Sequence, residues 1–332
     1  MTTALPVADA SYVASARREV EAVAKRIGLS EADRARAGLV ATELATNLAR
    51  HGGGGELLVQ PLQSGTASGI ELIAIDRGPG IANLAESMRD GCSTYGSAGT
   101  GLGAIRRQSE VFDIYSLPGR GTAILARLWP QRRLPREMGA AVGGVSVPKR
   151  EELVCGDSMD VLQEGTTVSL IVADGLGHGV LANAAAEEAC RLFRSQFHVS
   201  PAMAIQRIHA GLRSTRGAAV GIVNVNFATS KAVFCGIGNI AGLALAGTNV
   251  RRFVSMNGIA GHTAGRIQEF IYPCDGPGLV VVLHSDGISS NWSFDRTPGL
   301  AARQPSLIAA VLLRDAGRGR DDATVLVLKR TP

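Results

Sequence analysis

The chain has 332 residues, 45% of them hydrophobic and 19% charged, which excludes a disordered polymer and leaves room for two domains of ordinary size. Its net charge of +5 comes from scattered arginines such as Arg17-Arg18, Arg106-Arg107, Arg132-Arg133 and Arg251-Arg252, without a basic block interleaved with aromatics, so nucleic acid is not an expected partner. Cys92, Cys155, Cys190, Cys235 and Cys274 are far apart and lack CxxC pairing, which argues against a zinc site or disulfide framework; with neither a signal peptide nor a ~20-residue apolar span, a soluble cytoplasmic protein without membrane contact is expected.

In chain order, apolar residues Val13, Ala16, Val20, Val23, Ala24 and Ile27 recur at helical spacing and stop at Gly28. Ser30 with Asp33 predicts a capped second helix running to about Ala49, closed by Gly52 to Gly55. Strands are predicted over 56–61 and 70–76, a short helix over 102–109, and a closing hairpin over 111–116 and 121–129 around Pro118-Gly119. Residues 131–141 mix Pro, charge and Gly and are assigned as a linker between domains at 1–130 and 142–332. The second domain is predicted to hold strands over 142–148, 166–173, 219–226, 231–236, 240–246, 279–285 and 323–328, with helices over 180–197 and 201–214. The expected fold class is α+β throughout: helices over a mixed sheet, then a β-sandwich flanked by helices.

Three segments of the first domain carry chemistry that suits ATP. Glu43 and Asn47 lie four apart on one helix face, and phosphoryl transfer needs both a base near the acceptor hydroxyl and a metal ligand. Asp76 ends an apolar strand, where a carboxylate can accept from an adenine amine while Gly78 and Gly80 let the backbone approach the ring. The run Gly99-Thr100-Gly101-Leu102-Gly103 opens a helix, whose free N–H groups favour phosphate. Together, residues 10 to 130 resemble the GHKL (Bergerat) ATP-binding fold, in the branch of bacterial anti-sigma and switch-protein serine kinases. That resemblance implies Glu43 as general base and Asn47 as the Mg²⁺ ligand. It also implies Asp76 and Thr122 at adenine, with the Gly99 to Gly103 loop over the phosphates. There is no phospho-accepting histidine with a dimerisation helix, which points to serine or threonine as acceptor.

The second domain spaces acidic residues at strand ends, at Asp157, Asp174, Asp286 and Asp321, three of them beside glycine. Hard cations such as Mg²⁺ and Mn²⁺ take oxygen ligands, and phosphate hydrolysis commonly uses two of them to activate water. The segments VCGDS, VADGLGHG, CGIGN, HSDGI and GRDDATVLVL resemble, in order, the SpoIIE-like branch of the PPM metal-dependent serine/threonine phosphatases, nearest its stressosome-feedback members. The resemblance implies that Asp174 bridges two metals, helped by the Gly175 carbonyl, with Asp157, Asp286 and Asp321 completing the cage. It places Asp322 outside the cage. His178 could act as a proton donor, but packing or local hydrogen bonding is the preferred expectation for it, and for His262 and His284. Met159 stands where relatives often carry an aromatic.

One chain carrying both sites reads as a bifunctional switch. The kinase half would phosphorylate a STAS-type antagonist protein with MgATP, and the phosphatase half would remove phosphate with Mn²⁺ or Mg²⁺. The output would be control of a sigma factor or a downstream signalling enzyme by partner exchange. The rival reading is a nucleotide-dependent binding regulator whose only catalysis is the phosphatase.

Overall fold

The computed structural model describes residues 2–65, 67–87, 101–133, 139–195 and 199–331. Gly99 and Thr100 lie outside the described residues, as does Cys92. The chain divides into two compact units, residues 1–136 and 137–332.

The first unit runs β1 (Thr3–Val7), α1 (Val13–Arg26), α2 (Glu31–His51), β2 (Gly55–Ser64), β3 (Ala67–Ile75), α3 (Leu84–Ser87), α4 (Gly101–Gln108), β4 (Val111–Ser116) and β5 (Thr122–Leu128). Its sheet has the order β1-β2-β3-β5-β4 and, where a mixed sheet was expected, every pairing among the described strands is antiparallel. Ser30 starts α2 by accepting from Asp33 N at 3.2 Å while its hydroxyl donates to Asp33 Oδ2 at 2.8 Å, so a free helix donor and a first-turn acid are satisfied together. Val20, Val23, Val40, Leu44 and Leu48 bury one face of the helix pair against Leu57, Val59, Leu72 and Leu128 of the sheet. Truncating a residue such as Leu44 to alanine should cost about 2–5 kcal/mol. The strand β1 was not anticipated: five residues gain strand character only by pairing with β2, Thr3 opposite Val59 to Val7 opposite Gly55.

The buried acids of this unit are paired. Glu71, fully buried, accepts from Arg127 Nε at 2.6 Å and Gln60 Nε2 at 2.5 Å. Arg36 likewise joins Asp33 at 3.1 Å and Glu110 at 2.5 Å.

The second unit contains β6 (Ala140–Val147), β7 (Asp157–Glu164), β8 (Thr167–Gly175), α5 (Val180–Arg194), α6 (Pro201–Gly211), β9 (Ala218–Asn226), β10 (Lys231–Ile237), β11 (Ala241–Ala246), β12 (Asn249–Arg252), β13 (Gly258–Ile259), β14 (Thr263–Ala264), β15 (Phe270–Pro273), β16 (Val280–His284), α7 (Pro305–Ala316) and β17 (Ala323–Arg330). Two five-stranded sheets, β15-β10-β9-β8-β7 and β12-β11-β16-β17-β6, form a sandwich. Leu170, Val172, Val223 and Phe234 from the first meet Val281, Leu283, Leu326 and Leu328 from the second. Alternation along each strand sends the opposite side chains outward, where Ile171, Ala173, Ile222 and Cys235 meet Ala186, Phe193, Ile205 and Ile208 of α5 and α6. Two helices were expected here; α7 is a third, packed on β6 and β17. Among the described residues, no helix is long and apolar enough to cross a membrane.

Candidate functional sites

In the first unit, α2 carries Glu43 and Asn47 to the N-terminus of α4. A Cβ placed on Gly101 would stand 3.3 Å from Glu43 Oε2 and 3.6 Å from Asn47 Oδ1. Asn47 Nδ2 is buried without a hydrogen-bond partner among the described residues. Gly101, Leu102 and Gly103 form the first turn of α4, where backbone N–H groups lack intrahelical acceptors.

Asp76 follows the end of β3 and is fixed by backbone. Its Oδ1 accepts from Gly78 N at 2.8 Å and Thr122 N at 3.1 Å, and its own N–H donates to Thr122 O at 3.0 Å. Thr122 Oγ1 lies 2.9 Å from Ser116 Oγ, which accepts from Ile81 N. Gly80 has φ +71°, and a Cβ there would lie 2.1 Å from Leu117 O, so a side chain would force this turn off the β4–β5 hairpin. Asp76, Gly78, Gly80 and Thr122 thus share one neighbourhood. The structure gathers Glu43, Asn47 and Gly101 into another, with an oxygen-bearing face against a helix N-terminus. A nucleotide suits this set: a carboxylate for an amine, free N–H groups for phosphate, and an amide beside a carboxylate for a metal and an acceptor hydroxyl.

In the second unit, acids from both sheets converge. Asp157 opens β7 and stands opposite Asp174 near the end of β8. Asp286 follows β16, and Asp321 and Asp322 precede β17. Gly175 closes β8, its N–H donating to Gly156 O at 3.2 Å. The Asp286 turn rests on the Asp322 backbone: a Cβ on Gly287 would lie 2.0 Å from Asp322 O, so only glycine allows that approach.

Burial, then the charges of Asp157, Asp286, Asp321 and Asp322, pushes the Asp174 carboxyl up to about 9. Burial also raises Asp157, to about 7, against the lowering effect of hydrogen bonds from Ser285 and Thr324. Asp286 is raised by burial and then by Asp321, while Arg318 and Asn239 act the other way. Asp157 Oδ1 and Asp322 Oδ2 are buried with no hydrogen-bond donor among the described residues. Crowded carboxylates with orphaned oxygens fit a divalent cation, which supplies positive charge and accepts oxygen lone pairs. Among the described residues, no three His, Cys, Asp or Glu side chains are already drawn into a metal-holding group. Some of their oxygens instead face protein donors: Asp286 Oδ2 accepts from Asn239 Nδ2 at 2.7 Å, and Asp321 Oδ1 from Asp322 N at 3.0 Å. Asp157, Asp174, Asp286 and Asp321 are the acids that the sequence resemblance implies as ligands, and the crowding involves these four together with Asp322. Bound there, a divalent cation would polarise phosphate and lower the pKa of water.

Asn239 is a polar partner of this site that sequence reasoning left without a role, although its segment CGIGN was singled out. Asp322 is more deeply built in than its place outside the cage suggested: it is 3% exposed, and its Oδ1 accepts from Lys149 N at 2.8 Å. The histidines bond locally. His178 Nδ1 lies 2.6 Å from Glu152 Oε1, and His262 Nε2 lies 2.9 Å from Arg216 O. Met159 packs against the inter-sheet core.

Residues 7–128 match the histidine kinase-like ATPase domain family, and residues 164–331, about half of the chain, match the family of stage II sporulation protein E (SpoIIE). The N-terminal domain is similar to the serine/threonine-protein kinase RsbT of Bacillus subtilis (strain 168), 35% identical over 117 residues, which are 35% of this chain and 88% of that kinase. The C-terminal domain is similar to the phosphoserine phosphatase RsbX of the same organism, 26% identical over 146 residues, which are 42% of this chain and 71% of that phosphatase. A chain from a structural study of the bacterial stressosome, a modular system adapted to control secondary messenger signalling, aligns with TM-score 0.53 and 26% identity. That alignment spans 57% of this chain and 98% of the other. RsbX in complex with magnesium shares the fold, with TM-score 0.51 and 19% identity over 60% of this chain and 99% of its own. The chain belongs to the SpoIIE family of serine/threonine phosphatases and carries, in the same polypeptide, a histidine kinase-like ATPase domain of the RsbT type.

Proposed function

We propose that this protein is a two-way phosphorylation switch. Its N-terminal domain transfers the γ-phosphoryl group of MgATP to a serine or threonine of a STAS-type antagonist protein. Its C-terminal domain hydrolyses phosphoserine or phosphothreonine on that protein or a paralogue, with Mn²⁺ or Mg²⁺. The output is partner exchange that frees or captures a sigma factor or a downstream signalling enzyme. The observation that carries this reading is the pairing, within one chain, of a domain related to a kinase with a domain related to a phosphatase. Joining the two raises the effective concentration of each activity at a shared substrate.

In the kinase reaction, Glu43 accepts the proton of the attacking hydroxyl, Asn47 holds the metal, and Asp76 with Thr122 fixes adenine. The N-terminus of α4, with Gly99 and Thr100 before it, receives the phosphates. In the phosphatase reaction, Asp157, Asp174, Asp286 and Asp321, with the Gly175 carbonyl, would hold the metals, which would supply positive charge for the phosphate and acidify water.

The test is phosphotransfer from labelled ATP to purified STAS-domain proteins, followed by removal on adding Mn²⁺. Transfer and removal on one protein support the switch. ATP-dependent capture of the partner without transfer would favour the binding-regulator reading and leave the phosphatase as the only catalyst.

A further inference from the structure

The two sheets of the C-terminal sandwich contribute different acids. Asp157 and Asp174 belong to the sheet that contains β7 and β8, whereas Asp286 and Asp321 flank strands of the other sheet. Their spacing is therefore not set by either sheet alone. One fully buried hydroxyl spans the gap. Ser285 Oγ donates to Asp157 Oδ2 at 2.6 Å and accepts from Thr324 N at 3.0 Å.

The backbone of Ser285 is fixed from several sides. Its N–H donates to Thr324 O at 3.1 Å, and its carbonyl accepts from Ile288 N at 3.2 Å. His284 Nδ1 lies 2.8 Å from the same carbonyl, and Trp292 Nε1 donates to His284 Nε2 at 3.3 Å. The indole N–H makes Nε2 the acceptor, so Nδ1 carries the hydrogen that binds the carbonyl. With Oδ2 of Asp157 committed to Ser285, the orphaned oxygen is Oδ1.

We propose that Ser285 is a positioning residue that ties Asp157 of one sheet to the Asp286 turn of the other, fixing their separation and leaving Asp157 Oδ1 free for a divalent cation. It touches neither substrate nor reacting atoms. This role rests on the reading of the acidic cluster as a metal site. Partners that orient metal ligands in this way typically change metal affinity about 10–100-fold when removed.

The experiment is calorimetric titration of Mn²⁺ into the full chain without nucleotide, for wild type, Ser285→Ala, Ser285→Thr and Asp174→Asn. Melting of each protein in chelator reads fold stability separately. Wild type should bind Mn²⁺ and Asp174→Asn should lose that binding. Ser285→Ala should bind about 10–100-fold more weakly, and Ser285→Thr, which keeps the hydroxyl, should restore most of the affinity even where its extra methyl lowers the melting temperature. Wild-type Mn²⁺ affinity in Ser285→Ala, with Asp174→Asn still deficient, would overturn the role of Ser285 alone. If Ser285→Ala does not fold, Ser285→Cys substitutes a weaker donor of similar size; reduced affinity supports the role and undiminished affinity overturns it. Failure of wild type to bind Mn²⁺, or binding indifferent to Asp174→Asn, would instead defeat the metal-site reading, and the role of Ser285 with it.

Discussion

The two halves treat buried carboxylates in opposite ways. In the N-terminal unit, Glu71 is matched by Arg127 and Gln60, and Asp33 and Glu110 by Arg36. In the C-terminal unit, Asp157 and Asp322 each keep a buried oxygen without a donor among the described residues, and Asp174 is crowded by four other acids. A buried charge with a partner is tolerated because the pairing offsets its desolvation, whereas buried like charges without one cost stability unless something outside the chain compensates. The contrast is what favours the acidic cluster as the cation site in the proposed function. It also separates the ways the two sites should fail: the ATP site is scaffolded by backbone donors and should lose ligand or rate without losing fold, while the acidic site should couple metal to stability.

The largest effect is expected from Asp174→Asn. Hydrolysis of p-nitrophenyl phosphate should fall to background, because this acid feels the charges of all the other candidate ligands. The same change removes a carboxyl that burial and its neighbours force to stay protonated in the fold while the unfolded chain would ionise it, so in chelator near neutral pH the variant should melt higher than wild type, and added Mn²⁺ should raise its melting temperature less. Undiminished hydrolysis with full metal occupancy would break the assignment. Glu43→Ala comes next: phosphotransfer should slow by about 10²–10⁴ with loss of a general base, while calorimetry finds ATP bound as before.

A smaller effect is expected at Asp76. Asp76→Asn retains Oδ1 for Gly78 N and Thr122 N but turns the other oxygen into a donor. The fold should survive and ATP affinity should fall by about 1.5–3 kcal/mol, the range of a hydrogen bond to a charged group, with selectivity over GTP reduced. Unchanged affinity would move adenine elsewhere.

A pH effect is also expected on the metal-free protein. Asp174 is raised from an ordinary value of 3.8 to about 9, so the folded state keeps a proton that the unfolded chain has released. Its contribution to stability is complete below the unfolded pKa and is lost as pH climbs through the folded one. In chelator, the melting temperature should therefore decline between about pH 4 and about pH 9, and saturating Mn²⁺ should flatten the decline. A flat profile without metal would contradict the crowding of the acids.

Much of this was legible in the sequence because the signals are local. The Ser30 cap, the helical period of α1, the 111–129 hairpin and the acids at strand ends each depend on neighbours a few residues away. What escaped depends on distant partners. The strand β7 is the exception: its hairpin partner β8 is next in the chain, but DSMDVLQE is mostly polar and sits at the sheet edge, so it lacks the apolar pattern that marks a strand. The helix α7 is buried nearly all round against β6 and β17, so it lacks the amphipathic period that marks a surface helix. The link from Ser285 to Asp157 spans 128 positions, and no local spacing encodes it. The same holds for Lys149 N and Asp322, 173 positions apart.

In the proposed switch, one chain both adds and removes phosphate on a STAS-type protein. The most direct measurement is intact-mass spectrometry of purified STAS-domain proteins incubated with MgATP, Mn²⁺ and either Asp174→Asn or Glu43→Ala. Asp174→Asn should accumulate a phosphoprotein that wild type then reverts, and Glu43→Ala should never form it but should strip it once made. Asp174→Asn leaving every STAS protein unmodified, or Glu43→Ala forming phosphoprotein as readily as wild type, would contradict it.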